Sequence, residues 1–184
     1  MNYQLVAAIK KSHKLTLETR KKFFSNSSVK QIREWFASNT IDKHFPIEYV
    51  STEIAIITPQ GLLMQIRKHD KDSLGLWGGI VKDNEVVAKN AIRKILEETG
   101  INATIEDLEF IESVKHAHQY SNGDKAYFNA YRFILKLDHV PALRMNSDSN
   151  GFHIISKNSR YEDIARVLGH QQDFVHYLFD LYCR

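Results

Sequence analysis

A double glycine followed by a helical stretch, residues 78–101, constrains the fold of this 184-residue chain more than any other segment. Gly78 and Gly79 predict a turn whose backbone can approach another group closely. Residues 85–99 favour a helix, and Gly100 stands where helices commonly end. Successive helical residues are about 100° apart. One arc is therefore apolar and predicts a core-facing stripe of Ala88, Ala91, Ile92, Ile95 and Leu96.

The remaining arc of this helix is charged and consists of Arg93, Lys94, Glu97 and Glu98. Two adjacent carboxylates repel each other unless a positive charge lies nearby, and magnesium, which prefers carboxylate and phosphate oxygens, is one such partner. Glu85 suits the positive end of the helix dipole, and Gly79 can bring a backbone carbonyl to the same ion. The alternative is a solvated face, in which Lys94 pairs with Glu97 or Glu98 three and four residues on.

The spacing of this stretch resembles the Nudix box, in which glycine, glutamate, arginine–glutamate, glutamate–glutamate and glycine stand at fixed intervals. The positions that match in register are Gly79, Glu85, Arg93, Ile95, Glu97, Glu98, Gly100 and Ile101. Lys94 departs from the pattern, which has glutamate there. The resemblance covers residues 46–184 and implies an α/β (α+β) fold with a mixed β-sheet between helices.

The resemblance also implies an activity: hydrolysis of the phosphoanhydride in a nucleoside diphosphate linked to another moiety, with Mg²⁺ or Mn²⁺ as cofactor. Carried onto this sequence, Glu97 and Glu98 are the metal ligands, assisted by the Gly79 carbonyl. Arg93 orients the carboxylates and Glu85 supports the loop. The cation would polarise the phosphoryl oxygens and help to generate hydroxide.

Lys94 is expected to weaken metal binding, because a charged lysine cannot ligate a metal and removes one negative charge from the cluster. Three outcomes stay open. The general base comes from a later loop, the site hydrolyses slowly or by other chemistry, or the domain binds or senses a nucleotide-like ligand without hydrolysing it. Asp148, in the polar loop 138–151, is the candidate base or additional acidic ligand; its alternative is an ordinary turn aspartate.

Four other residues are candidates for binding substrate. His116 and His118 alternate on a predicted strand and so share one face, where one could bond phosphate or act as a base. Arg67, near the end of the strand before the box, could hold phosphate. Trp77 precedes the two glycines, and core packing is the alternative to stacking on a base.

The remaining sequence predicts strands before and after the box and helices at both ends. A hairpin is expected from residues 49–57 and 62–67 around Pro59–Gly61, and further strands over 110–119, 126–137 and 152–155. The last helix carries Phe174, Leu178 and Leu181 on one stripe. Helices over 3–11, 16–24 and 27–36 predict an N-terminal extension (1–45) before the Nudix domain (46–184), with a candidate surface for homodimerisation or another partner.

Composition limits the classes of partner. The 25 basic and 22 acidic residues give a net charge of +3, too weak a basic excess to predict duplex DNA binding. An assignment to the family members that remove pyrophosphate from RNA 5′ ends would rest on this charge alone. A small nucleotide is therefore the expected partner. No apolar run approaches membrane-spanning length. Cys183 is the only cysteine, which excludes an intramolecular disulfide and favours a cytoplasmic location.

Overall fold

The computed structural model describes residues 47–68, 73–119, 125–144 and 149–183. The helices predicted over residues 1–45 lie outside these ranges. The chain divides into two compact units, and the larger comprises Val50–His116 and Asn129–Arg184. In the described part of the smaller unit, the rings of Tyr49 and Phe128 lie with their centroids 5.2 Å apart.

Seven strands form one sheet within the described residues. They are β1 (Ile47–Thr58), β2 (Gly61–Arg67), β3 (Leu74–Gly75), β4 (Trp77–Ile80), β5 (Leu108–Gln119), β6 (Lys125–Lys136) and β7 (Ser149–Ile155). The order is β3-β2-β1-β6-β5, with β4 paired to β1 and β7 to β2. The predicted hairpin is confirmed, since β1 and β2 pair antiparallel with Thr58 opposite Gly61.

The described helices are α1 (Val87–Thr99), α2 (Tyr161–Ala165) and α3 (Gln172–Tyr182), with short 3-10 turns at Ile105–Asp107 and Gly169–Gln171. Gly100 ends α1 as predicted: its φ is 77° and its N–H donates to the Leu96 carbonyl, a left-handed conformation that glycine adopts without a Cβ penalty. None of the helices in the described ranges has the length and apolar character that a membrane crossing needs.

The sheet packs on both faces, and β1 shows how. Ile54 and Ile56 belong to the apolar cluster that contains Ala91 and Ile95 of α1. The alternating residues Ala55 and Ile57 belong to a second cluster with Phe174, Val175 and Leu178 of α3. Successive side chains of a strand point to opposite faces, so the sheet lies between α1 and α3. The predicted fold, a mixed sheet between helices, is confirmed.

One predicted core position, Leu96, is wrong, and one end of the apolar stripe on α3 is exposed. Leu96 is 50% exposed and Leu181 is 55% exposed. The buried residues of α1 are Asn90, Ala91, Ile95, Glu98 and Thr99. The helix is therefore rotated so that the Glu98 side, rather than the Leu96 side, faces the sheet. In α3 the buried residues are Phe174, Val175 and Leu178, which leaves Leu181 at the outer edge of the stripe.

Candidate functional site

Glu85 anchors the start of the box helix. Its carboxylate accepts hydrogen bonds from the Lys82 backbone N–H at 3.0 Å, from Asn90 Nδ2 at 2.9 Å and from Arg93 Nε at 2.7 Å. The Arg93 hydrogen bonds, more than the others, lower the pKa of Glu85 from 4.5 to about 2. Asn84 just before it has a φ of 63°, a left-handed conformation that asparagine tolerates better than most residues.

Asn90 fixes the helix to the sheet, a role that the sequence analysis missed. It is completely buried, and its Nδ2 donates to the Ile80 carbonyl at 3.0 Å as well as to Glu85. Its Oδ1 accepts from the Thr52 hydroxyl at 2.7 Å. At about 100° per residue Asn90 falls between Glu97 and Lys94 on the charged arc, so the helical pattern gave no signal that its amide is buried and hydrogen-bonded.

Arg93 holds two of the box carboxylates. Its guanidinium bonds Glu85 and, through Nη1, both oxygens of Glu97 at 3.0 and 2.9 Å. The hydrogen bond to Glu85 raises the pKa of Arg93 above its usual value. In turn, Arg93 is the main cause of a lowered pKa at Glu97. Glu97 is half exposed and ionised, and it is oriented by a planar donor as the box resemblance implies.

Lys94 lies at the centre of the predicted metal site. Its Nζ is 3.3 Å from Glu98 Oε1 and 3.7 Å from Glu97 Oε2. Its stem lies over Gly79, where an added Cβ would stand 2.8 Å from Lys94 Cε. Glu98 is almost buried and also accepts from the Gly78 N–H at 3.1 Å. The residues expected around a metal therefore surround the ammonium of Lys94.

These contacts test whether a divalent cation fits. The carboxylates of Glu97 and Glu98 converge on one positive charge beside Gly79, and hard oxygen donors of this kind suit Mg²⁺ or Mn²⁺. The donor set fits a cation, because the side chains already hold one. Lys94 is flexible and its side chain is 24% exposed, so a metal ion and the ammonium would compete for the same carboxylates.

Three other predicted site residues, Trp77, His116 and Arg67, are described, and each makes contacts outside this cluster. Trp77 is 2% exposed, and its indole N–H donates to the Leu63 carbonyl at 2.9 Å. Its burial favours core packing over stacking on a base. His116 stacks on His170, with ring centroids 4.4 Å apart. Arg67 lies at the end of β2, where its stem covers Gly75.

Two predictions fall outside what the structure describes. Asp148 lies in the gap between residues 144 and 149, so its role as a base stays a prediction. His118 belongs to β5, but its side chain is not among those described. The sharing of one strand face by His116 and His118 also stays a prediction.

Comparison with known proteins identifies the family. A family model described as NUDIX domain matches residues 49–153, more than half of the chain. A comparison with curated proteins finds no match. Solved structures match well. A MutT/nudix family protein from Enterococcus faecalis is 18% identical with a TM-score of 0.51, and the match covers 76% of this chain and 56% of that one.

Two further structures have related folds. The dihydroneopterin triphosphate pyrophosphohydrolase of E. coli is 18% identical with a TM-score of 0.57, covering 73% of this chain and 99% of that one. A bifunctional NMN adenylyltransferase/ADP ribose pyrophosphatase from Francisella tularensis, complexed with AMP and a manganese ion, is 22% identical with a TM-score of 0.55. That match covers 92% of this chain and 50% of the Francisella chain.

This chain thus spans only about half of the Enterococcus and Francisella proteins. At these identities the structures show a shared fold, whereas the family model shows membership. Together with the box geometry, the match over residues 49–153 shows that the chain belongs to the Nudix family.

Proposed function

We propose that this protein hydrolyses the phosphoanhydride of a nucleoside diphosphate linked to another moiety. The observation that supports this most is the convergence of Glu97 and Glu98 on a single cation beside Gly79. Among the structural neighbours, an ADP ribose pyrophosphatase and a dihydroneopterin triphosphate pyrophosphohydrolase share the fold. Their substrates guide the choice of compounds to test.

Mg²⁺ or Mn²⁺ is the proposed cofactor, held by Glu97, Glu98 and the Gly79 carbonyl after Lys94 turns away. Bound there, it would polarise the phosphoryl oxygens and activate water. The other residues position this group. Arg93 keeps Glu97 oriented through two hydrogen bonds, and the Gly78 N–H holds Glu98. Asp148 is proposed as the general base.

A second function has an observation in its favour. Because the Lys94 ammonium already neutralises Glu98 at 3.3 Å, the domain could bind a nucleotide-like ligand with little or no turnover. The Lys94 ammonium can attract a diphosphate, but it cannot activate water as a divalent ion does. This interpretation predicts ligand binding that does not depend on added metal.

A substrate panel with Mg²⁺ and Mn²⁺ separates the two functions. We expect metal-dependent release of phosphate or a nucleoside monophosphate from at least one nucleoside diphosphate derivative. We also expect Glu98→Gln to abolish that release, because it removes the ligand charge and keeps the side-chain shape. Glu106→Gln, an exposed acid outside the box, is the matched control and should retain activity. Ligand binding without turnover across the panel would favour the second function, and an active Glu98→Gln would show that the metal is misplaced.

A further inference from the structure

A second cluster of metal-ligating side chains lies on the face of the sheet opposite the box helix. Glu53, His116 and His170 each offer one ligand atom, and these atoms all lie within 4.8 Å of one another. Glu53 follows Thr52 on β1, and Thr52 bonds Asn90 of α1. Because successive strand residues face opposite ways, Glu53 points away from α1, toward the 3-10 turn that precedes α3.

Glu53 is buried and held in one orientation. Only 5% of the residue is exposed. Arg132 Nε donates to its Oε2 at 3.0 Å, and Gln171 Nε2 donates to its Oε1 at 3.1 Å. Burial alone would raise the pKa of Glu53, but hydrogen bonds from His170, Gln171 and Arg132 outweigh burial and lower it. The carboxylate is ionised, and each oxygen retains further acceptor capacity.

The two histidines approach this carboxylate from different elements. His170 Nε2, on the turn Gly169–Gln171, is 3.4 Å from Glu53 Oε1. The ring of His116, on β5, stacks on that of His170 with an interplanar angle of 19°. The His170 side chain is 31% exposed, which leaves a route from solvent to the cluster.

Contacts made by residues outside this cluster hold Glu53 and the His170 backbone in place. Arg132 donates to the His170 carbonyl at 3.0 Å while it holds Glu53. Gln171 accepts from the Leu76 N–H at 2.9 Å while its amide nitrogen donates to Glu53. Outer contacts of this kind orient metal ligands. The carboxylate and the His170 backbone are therefore positioned before any ion arrives.

We propose that Glu53, His116 and His170 form a binding site for a zinc-class transition-metal ion, separate from the box. Two imidazoles and one carboxylate suit zinc rather than magnesium or calcium, which prefer all-oxygen sites. Bond lengths of about 2.0–2.1 Å in a tetrahedral zinc site place ligand atoms roughly 3.4 Å apart. Glu53 Oε1 and His170 Nε2 have this separation, at 3.4 Å. The ring of His116, which stacks on that of His170, must turn to direct a nitrogen at the same ion. Three protein ligands leave a fourth position for water or another small ligand.

Zinc titration of the full-length protein by calorimetry tests the site. We expect binding at this site to weaken by roughly tenfold or more in His170→Ala and in His116→Ala, because each removes one of three ligands. His139→Ala is the matched control, since His139 is exposed and pairs with Asp138; binding should be unchanged. Glu98→Gln should also leave this binding unchanged, which separates the site from the box.

Substitution of Co²⁺ for zinc gives a readout that does not depend on folding of the variants. The wild-type protein should show the intense visible absorption of four-coordinate Co²⁺ with nitrogen ligands, and zinc should displace it. Absence of zinc binding in the wild type, equal affinity in both histidine variants, or loss of all binding in Glu98→Gln would overturn the proposal. In each of those cases the contact of His170 with Glu53 is an ordinary hydrogen bond.

Discussion

Lys94 changes the charge balance of the box. Where the family pattern has a third acid, the ammonium lies 3.3 Å from Glu98 and 3.7 Å from Glu97. The sequence is compatible with two arrangements of these side chains, a metal shared by the glutamates or a lysine paired with them. The structure contains the lysine pairing, and the same oxygens are the proposed metal ligands. Competition between two cations follows from that overlap.

Lys94→Glu should tighten metal binding. The change removes the competing ammonium and adds a carboxylate, so we expect Mn²⁺ affinity to rise by roughly tenfold or more, as more ligand charge strengthens binding of hard cations. Lys89→Glu introduces the same charge change at an exposed position of α1 and should have little effect. Manganese titration followed by electron paramagnetic resonance would measure both. Equal affinities for the parent and Lys94→Glu would contradict competition.

Glu85 should make folding stability depend on pH in the acidic range. Its pKa is about 2 in the folded chain, against an ordinary value of 4.5. The stabilisation is therefore fully present above pH 4.5 and is lost as pH falls toward 2. Urea unfolding at a series of pH values should show a shallower acid dependence for Glu85→Gln than for the parent. Glu106→Gln is the control, and an unchanged slope in Glu85→Gln would refute the assignment.

At the scale of elements, strand β4 and its two glycines determine the site. Gly78 has a φ of 129°, and an added Cβ there would stand 2.2 Å from the Thr52 carbonyl oxygen. Gly79 meets only the flexible Lys94 side chain. The two glycines are adjacent in sequence but have different roles, since the first is required by the backbone and the second leaves space over the box.

Gly78→Ala should therefore destabilise the protein much more than Gly79→Ala. Backbone strain alone costs about 1–3 kcal/mol at such a position, and the clash with Thr52 adds to it. Gly79→Ala requires only that Lys94 move, so its main expected effect is a change in metal affinity. Thermal unfolding of both variants would measure the difference. Equal loss of stability in the two variants would contradict the geometry around these glycines.

Much at this scale could be predicted from sequence. The helix ending at Gly100 and the hairpin around Gly61 follow from local backbone preferences. The turn predicted at Gly78 and Gly79 is wrong, since both residues lie in strand β4 and pair with β1. The rotation of α1 could not be predicted, because Leu96 and Glu98 exchange their expected exposure through contacts with the Gly78 N–H and with β1. Tertiary contacts of this kind leave no periodic pattern. The burial of Asn90 could not be predicted either, because this residue falls on the charged arc of the helix.

At the scale of the whole molecule, Arg132 connects the sheet to the C-terminal segment. Its guanidinium bonds Glu53 on β1, Glu112 on β5 and the carbonyl of His170. It also lies 4.7 Å from the ring centroid of Phe174. Glu53 and Arg132 are 79 residues apart in sequence, so no spacing rule relates them. The sequence therefore predicted a role for His116 but none for Glu53 or Arg132.

Arg132→Met should be strongly destabilising. Removing one partner of a buried ion pair leaves an uncompensated charge, at a cost of about 3–5 kcal/mol. Adding Glu53→Gln should restore part of the loss, because the remaining carboxylate charge is removed. Lys136→Met is the control: it breaks an exposed pair with Glu109 and should change stability little. Chemical denaturation would measure all three, and a mild effect of Arg132→Met alone would argue against the connection.

The division of the chain at residues 45 and 46 stays a prediction, as does dimerisation through the N-terminal extension. The family match begins at residue 49, and the described sheet begins at Ile47. Substrate specificity in such folds comes from loops and added segments. The polar stretch 138–151, predicted from the sequence as a loop, includes residues 145–148, which lie outside the described ranges.

Lys94 is covalently attached to the helix whose acids it neutralises. A dissolved ion can be removed by dialysis or a chelator, but a side chain cannot. Gly79 and the last turns of α1 therefore retain a counter-charge whether or not metal is available. For this protein, removal of the metal should abolish the proposed hydrolysis while the domain stays folded. Folding stability should therefore not depend on the ion.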